Sequence, residues 1–213
     1  MQIMRIVKEH DERKNEIIDT ASRLFVSKGY EQCSVNDILT EIGIAKGTFY
    51  HYFKSKEDVL DAVISKATNM IAERVRAVAE DASLTPEDKM LQVFLAMRVD
   101  QKMEEGLLDE MHKPENVRMH QKSLVSILKV LNPILTQVVE EGIQKRVFCC
   151  EYPEQYMQIF LASAVTLLDD GIFMTAPDKM QGLFEAMLSL LEKMLGMEKG
   201  SLWLKAQEYW KFE

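Results

Sequence analysis

The sequence predicts an all-α protein, and three observations carry that prediction. Helix start signals recur along the whole chain, at Ser34-Val35-Asn36-Asp37, Ser55-Lys56-Glu57-Asp58, Thr85-Pro86-Glu87-Asp88, Pro153 and Thr175-Ala176-Pro177-Asp178. Apolar residues fall at three- and four-residue spacing, as in Ile17, Ile18, Ala21, Leu24 and Phe25. No alternating β-branched stretch is bounded by hairpin turns, and there is no internal repeat, low-complexity tract or long Gly/Ser linker.

Taken in order, the first helix is expected from Asp11 to Lys28, with Gly29 as a left-handed cap. Ser34 opens a second helix, with capping-box spacing to Asp37, and Gly43 stops it. After Gly43-Ile44-Ala45 a brief helix covers Lys46–Tyr52, and Ser55 opens a long one toward Glu80. Pro86 starts a helix to Met103, where its missing N–H costs nothing, and a short helix covers Glu104–Met111. Glu115–Arg146 forms one long helix bent at Pro133, which cannot supply an N–H to the ladder. Helices then run from Pro153 to Phe173, from Thr175 to Leu195 and from Ser201 to Phe212. The expected architecture is an N-terminal three-helix helix-turn-helix domain over 1–56 and a helical bundle over 57–213 for ligand binding and dimerisation.

Composition bounds the partners. The 213 residues are 47% hydrophobic and 28% charged, enough for a real core, and the formal net charge is −8. That total hides an asymmetry: residues 1–56 hold nine Lys/Arg against eight Asp/Glu, the remainder 17 against 26. Phosphate is met by individual Lys and Arg side chains, so the acidic total does not exclude DNA, and it directs attention to the first segment. Three cysteines, two of them adjacent, make no disulfide framework, which agrees with a reducing compartment. The N-terminus lacks the apolar core of a secretion signal, and the uncharged run IFLASAVTLL is too short to span a bilayer, so a cytoplasmic protein without a membrane partner is expected.

The stretch GIAKGTFYHYF at 43–53 carries the function. Two short helices joined by a glycine-containing turn form a helix-turn-helix, whose second helix enters the DNA major groove. Ile38, Ile42, Ile44, Phe49 and Phe53 can pack against Ile17, Ala21 and Phe25, leaving Lys46, Thr48, Tyr50 and His51 facing outward. Gly47 then has a purpose, because a missing side chain lets the backbone approach a base edge or phosphate. Ser34 at a helix start, with Lys54 and Lys56 at the next, adds phosphate contacts. The bland alternative, a helical hairpin in an ordinary bundle, explains the phenylalanines but neither Gly47 nor the outward Lys46, Thr48 and His51.

Residues 11–60 resemble the N-terminal DNA-binding domain of the TetR family of bacterial transcriptional regulators. The resemblance rests on Ala21, Leu24, Phe25, Gly29, Tyr30, Ile38, Gly43, Lys46-Gly47-Thr48-Phe49-Tyr50-His51-Tyr52-Phe53 and Lys54-Ser55-Lys56-Glu57. The remainder is similar in helix layout only, including Gly142 and Phe148 before the last long pair. The resemblance implies a homodimer on a palindromic operator in double-stranded DNA and a C-terminal domain sensing a small-molecule effector. It implies base or nearby phosphate contacts from Lys46, Gly47 and Thr48, and phosphate contacts from Tyr50, His51, Lys54, Lys56 and the Ser34 helix start. Two residues depart from the family pattern: Leu39, where alanine is common, predicts slightly wider packing of the short helices, and Arg146, where glycine closes the long helix, predicts a differently built corner.

The helices after Pro153 and Thr175 are apolar nearly all round, so each must be buried on two sides. A two-fold partner supplies the second side, with Phe160, Ala164, Leu167, Leu168, Phe184, Met187, Leu188 and Leu191 at the interface and Ala162, Ser163 and Ala164 allowing close approach. Neither a phosphate loop nor a zinc helix nor a nucleophile elbow occurs, so no catalytic residue, metal or cofactor is expected. Asp109-x-x-His112, with His120 beyond, reads as solvated surface. Cys149-Cys150 reads as packing, as do most of the 14 methionines, though Met70, Met90, Met97, Met103, Met111, Met119, Met157 and Met174 could line an adaptable pocket. The expected function is a ligand-responsive transcriptional regulator, a repressor released from its operator by a small molecule. The alternatives are a regulator whose bundle docks a protein partner and, more distantly, an α-helical enzyme or metal-binding protein.

Overall fold

A computed structural model describes residues 2–97, 116–169, 172–173 and 175–209. Among them the backbone forms nine helices and no strand, in agreement with the all-α expectation. In chain order these are α1 (Gln2–Lys28), α2 (Val35–Ile42), α3 (Lys46–Tyr52), α4 (Lys56–Glu80), α5 (Pro86–Met97), α6 (Val117–Gln144), α7 (Pro153–Leu167), α8 (Pro177–Met194) and α9 (Ser201–Tyr209).

Local chemistry accounts for most boundaries. Ser34 caps α2 with a full capping box, Ser55 Oγ accepts the Asp58 N–H at 3.1 Å, and Thr85 Oγ1 accepts that of Asp88 at 3.2 Å. α1 begins nine residues before the expected Asp11, because no glycine or proline interrupts the preceding stretch. α7 ends at Leu167 rather than Phe173, ahead of Asp169-Asp170-Gly171, three poor helix formers. α8 starts at Pro177 with Ala176 as its cap, so the Thr175 box does not form. The helix expected over 104–111 lies outside the described residues, as do Asp109 and His112.

The chain divides into two compact units, Met1–Thr68 with Asp100–Ser126, and Asn69–Val99 with Ile127–Glu213. In the first, Ile17, Ala21, Phe25, Ile38 and Phe49 are wholly buried, with Tyr30, Phe53, Val59, Leu60 and Met119 around them and Ile42 and Ile44 packed at the edge. This is the packing expected for the short helix pair, and Leu39 joins its edge.

In the second unit, Met90, Leu91, Leu131, Leu135, Val139, Met157, Leu161, Leu191 and Leu195 form the centre. Two of its buried charged groups are paired. The buried Lys89 ammonium pairs with Glu141 at 2.7 Å, and the buried Glu192 accepts the N–H groups of Gly200 and Leu202 at 2.8 and 2.9 Å, capping α9. At the end of α6, Arg146 adopts φ 59°, the left-handed conformation glycine would take, and the N–H groups of Val147 and Phe148 return to the Gly142 carbonyl. At the corner where a departure was expected, arginine thus takes a conformation that glycine adopts freely. Gly142 is needed for another reason, since a Cβ there would overlap the Phe148 ring.

By length and composition α6 could cross a membrane, with a mean hydropathy of 1.3 over its most apolar window. Its residues Leu131, Ile134, Leu135, Val138 and Val139 instead lie in the core of the second unit.

Candidate nucleic-acid interface

The direction of α3 is set by the turn before it. Gly43 takes φ 75°, and its N–H and that of Ile44 both return to the Leu39 carbonyl, at 2.9 and 3.1 Å. This ends α2 and aims α3, which then buries Phe49 completely and Phe53 almost so. With those two inward, Lys46, Gly47, Tyr50 and His51 are exposed and Thr48 half-buried on the outer side. Lys46 Nζ lies 5.8 Å from the centroid of the Tyr50 ring. A Cβ built on Gly47 would meet nothing within 4 Å, so no internal packing requires glycine there.

His10 of α1 is a neighbour that local sequence pattern could not reveal. Its ring lies 4.6 Å from that of Tyr52 and 5.7 Å from that of His51. With Glu12, Arg13, Glu16 and Thr48 these residues line an open cavity of about 620 Å³ between α1 and α3.

The remaining expected contacts divide. Lys54 is exposed. Ser34 is exposed too, but its hydroxyl is engaged with Asp37, donating to the carboxylate at 2.5 Å and accepting the Asp37 N–H. Lys28 completes the cluster at 2.7 Å from Asp37 and, with Ser34, holds that carboxyl well below the usual carboxylate range. Lys56, expected at a phosphate, is turned inward. Its ammonium donates to the carbonyls of Tyr30 at 2.8 Å and Cys33 at 3.0 Å and lies 4.2 Å from the Tyr30 ring centroid. A lysine so engaged fixes the turn between α1 and α2, and no local signal separates it from the exposed Lys54.

On α7 and α8 the residues expected at a dimer interface also divide. Phe160, Ala164, Met187, Leu188 and Leu191 are buried within the second unit of this one chain, where they pack its own core. Leu167 and Phe184 are half-buried and Leu168 is 39% exposed. The apolar residues left outside are Ile159, 54% exposed, with Ala162 on α7, and Leu190, 42% exposed, with Ala186 on α8. Helical phase made this distinction, and both helices are too apolar for the sequence to reveal it.

Among the described residues no three His, Cys, Asp or Glu side chains gather as a metal site. Cys33 is buried, Cys149 exposed and Cys150 half-buried, with burial pushing the Cys33 and Cys150 thiols up. Met90 and Met157 belong to the second core, Met119 to the first, and Met70 is exposed; Met103, Met111 and Met174 lie outside the described residues.

Residues 17–63 match the profile of the bacterial regulatory proteins of the tetR family, and residues 99–187 match the tetracyclin repressor-like C-terminal domain. The chain belongs to the TetR family. It is 30% identical over 145 residues to the uncharacterized HTH-type transcriptional regulator YerO of Bacillus subtilis, a match covering 64% of this chain and 50% of YerO. It is 29% identical over 133 residues to the fatty acid metabolism regulator protein of the same organism, covering 61% and 67% of the two chains. The chain thus spans about half the length of YerO, and less of several other relatives.

Among solved structures, RolR in complex with resorcinol superposes with a TM-score of 0.66 at 19% identity, covering 94% of this chain and 95% of RolR. A TetR/AcrR-family regulator from Thermobifida fusca gives 0.59 at 26%, covering 84% and 97%. The fold, the family and the regulator class expected from residues 11–60 agree with these matches. The C-terminal match starts at residue 99, yet the described residues of 116–126 pack within the same compact unit as α1, α2 and α3.

Proposed function

We propose that this chain is a ligand-responsive DNA-binding transcriptional regulator, a repressor released from a palindromic operator by a small molecule. One observation carries the reading: α3 follows a left-handed glycine turn, buries Phe49 and Phe53, and leaves Lys46, Gly47, Thr48, Tyr50 and His51 on its outer side. Residues 1–56 supply the DNA-reading surface and 57–213 the effector and dimerisation functions. Lys46, Gly47 and Thr48 meet base edges or adjacent phosphates, and Tyr50, His51 and Lys54 meet phosphates. Ser34 contributes backbone N–H groups at the start of α2 rather than its engaged hydroxyl. Lys56 acts indirectly, by fixing the turn that precedes α2.

The partner across the two-fold axis is a second copy of the chain, which brings two α3 helices about 34 Å apart on successive major grooves. Its face is Ile159, Ala162, Ser163 and Thr166 of α7 with Gly182, Ala186 and Leu190 of α8, where small residues admit close helix approach. The effector is a small, largely apolar molecule, a reading supported by the resorcinol bound to RolR. It lowers DNA affinity only in so far as it binds the released conformation more tightly. The protein acts in the cytoplasm and performs no catalysis.

The test is selection of bound sequences from a random duplex pool, beside a Lys46→Ala/Tyr50→Ala variant. A palindromic consensus that the variant loses is the expected result. No enrichment at modest salt would overturn the reading.

A further inference from the structure

The turn between α1 and α2 is held from several directions. The Tyr30 N–H donates to Oδ1 of Asn116, 86 positions along the chain, at 2.7 Å. Tyr30 is 2% and Asn116 1% exposed. The Tyr30 hydroxyl donates to Glu57 at 3.2 Å, and Glu57 pairs with Arg118 at 2.7 Å and with Lys122, which continues to Asp61 at 2.5 Å. Met119 enters the core between them. Lys56 closes the same turn from the α4 side. The segment that starts α6 therefore holds Tyr30, while Lys56 holds the carbonyls of residues 30, 31 and 33, which lead into the Ser34 cap of α2.

Asn116 is too deeply buried to touch DNA, and a buried carboxamide is costly unless its hydrogen bonds are made. An apolar residue would fill the space. What the carboxamide adds is an acceptor for one backbone N–H, in the turn from which α2 and then α3 take their direction.

We propose that Asn116 is a positioning residue for DNA reading: with Arg118 and Lys122 it clamps the α1–α2 turn, and release of the clamp lowers operator affinity. This rests on the reading of α3 as the DNA-reading helix. The clamp acts through preorganisation, since a turn free to move must be ordered again each time the helix seats in the groove. Binding to random DNA, which depends on individual phosphate contacts, is affected far less.

The test uses the full chain and the operator recovered by selection. Asn116→Ala is expected to speed amide exchange at Tyr30 and through residues 31–34 at least tenfold, with α7 and α8 unchanged. Its operator affinity is expected to fall about tenfold while random-duplex affinity changes less than twofold. Faster exchange with wild-type operator affinity would overturn the proposal, as would unchanged exchange. Should Asn116→Ala fail to fold, Lys122→Met loosens the same clamp from the surface; about threefold weaker operator binding is expected, and wild-type affinity would overturn the idea. If the wild-type chain selects no operator, the DNA reading itself fails, an outcome separate from any difference between variants.

Discussion

Gly47→Ala separates a demand of the fold from a demand of the partner. Gly47 is the second residue of α3, has no positive φ, and offers a new Cβ nothing within 4 Å. The folded chain therefore accepts alanine without displacement, and the helix gains from it. Glycine costs about 0.5–1 kcal/mol relative to alanine inside a helix. At the second position of a seven-residue helix the lower end applies. About 0.5 kcal/mol raises the melting midpoint by roughly 1–2 °C in a chain of this size. On DNA the sign reverses: a methyl at a point of backbone approach removes one hydrogen bond, about 1–1.5 kcal/mol or close to tenfold. A dimer on a two-fold site incurs the loss twice, giving about a hundredfold. Thermal denaturation and operator titration on the same preparation read both numbers. A higher midpoint with unchanged operator affinity would refute the close-approach argument, and a lower midpoint would refute the described setting of Gly47.

The end of α6 gives an opposed pair. Arg146→Gly should stabilise the chain by up to about 1 kcal/mol in chemical denaturation, since the left-handed conformation costs an L-residue 1–2 kcal/mol and the flexible unfolded glycine returns part of that. Gly142→Ala should destabilise by about 3 kcal/mol, because its methyl must displace the buried Phe148 ring. Ile159→Glu with Leu190→Glu should yield a monomer in sedimentation with unchanged helicity, whereas Leu191→Ala should lower stability by about 2–5 kcal/mol through a core cavity. Acid should weaken the chain, since paired carboxylates lie in both units. Lys122 holds Glu57, and Lys28 holds Asp37, below their usual ranges, so the stability these carboxylates contribute is present above about pH 4 and lost as pH falls through the lowered folded values. Glu57→Gln should flatten that acid branch in denaturation midpoints measured from pH 7 to pH 3.

Reading residues one at a time shows what was legible in advance. The Ser34 box, the Gly43 stop and the Phe49–Phe53 spacing are local, involving groups within one or two turns of helix, and all formed as expected. Lys54 and Lys56 are equivalent in pattern, yet one is exposed and the other caps three carbonyls, because the carbonyls of residues 30, 31 and 33 come from a turn more than twenty positions away. Phe160 and Ile159 are adjacent and equally apolar, yet one is core and the other surface.

The sequence alone determined an all-helical chain with Lys46, Thr48, Tyr50 and His51 on the outer side of a short helix, because capping, turn and periodicity signals act over a few residues, and the residues of 11–60 carried the likeness to the TetR family. Tertiary structure decided which cation caps a turn, which apolar side of α7 and α8 stays open, and that Asn116 holds Tyr30. Those outcomes depend on contacts between segments far apart in the chain, whose pairing no local spacing encodes.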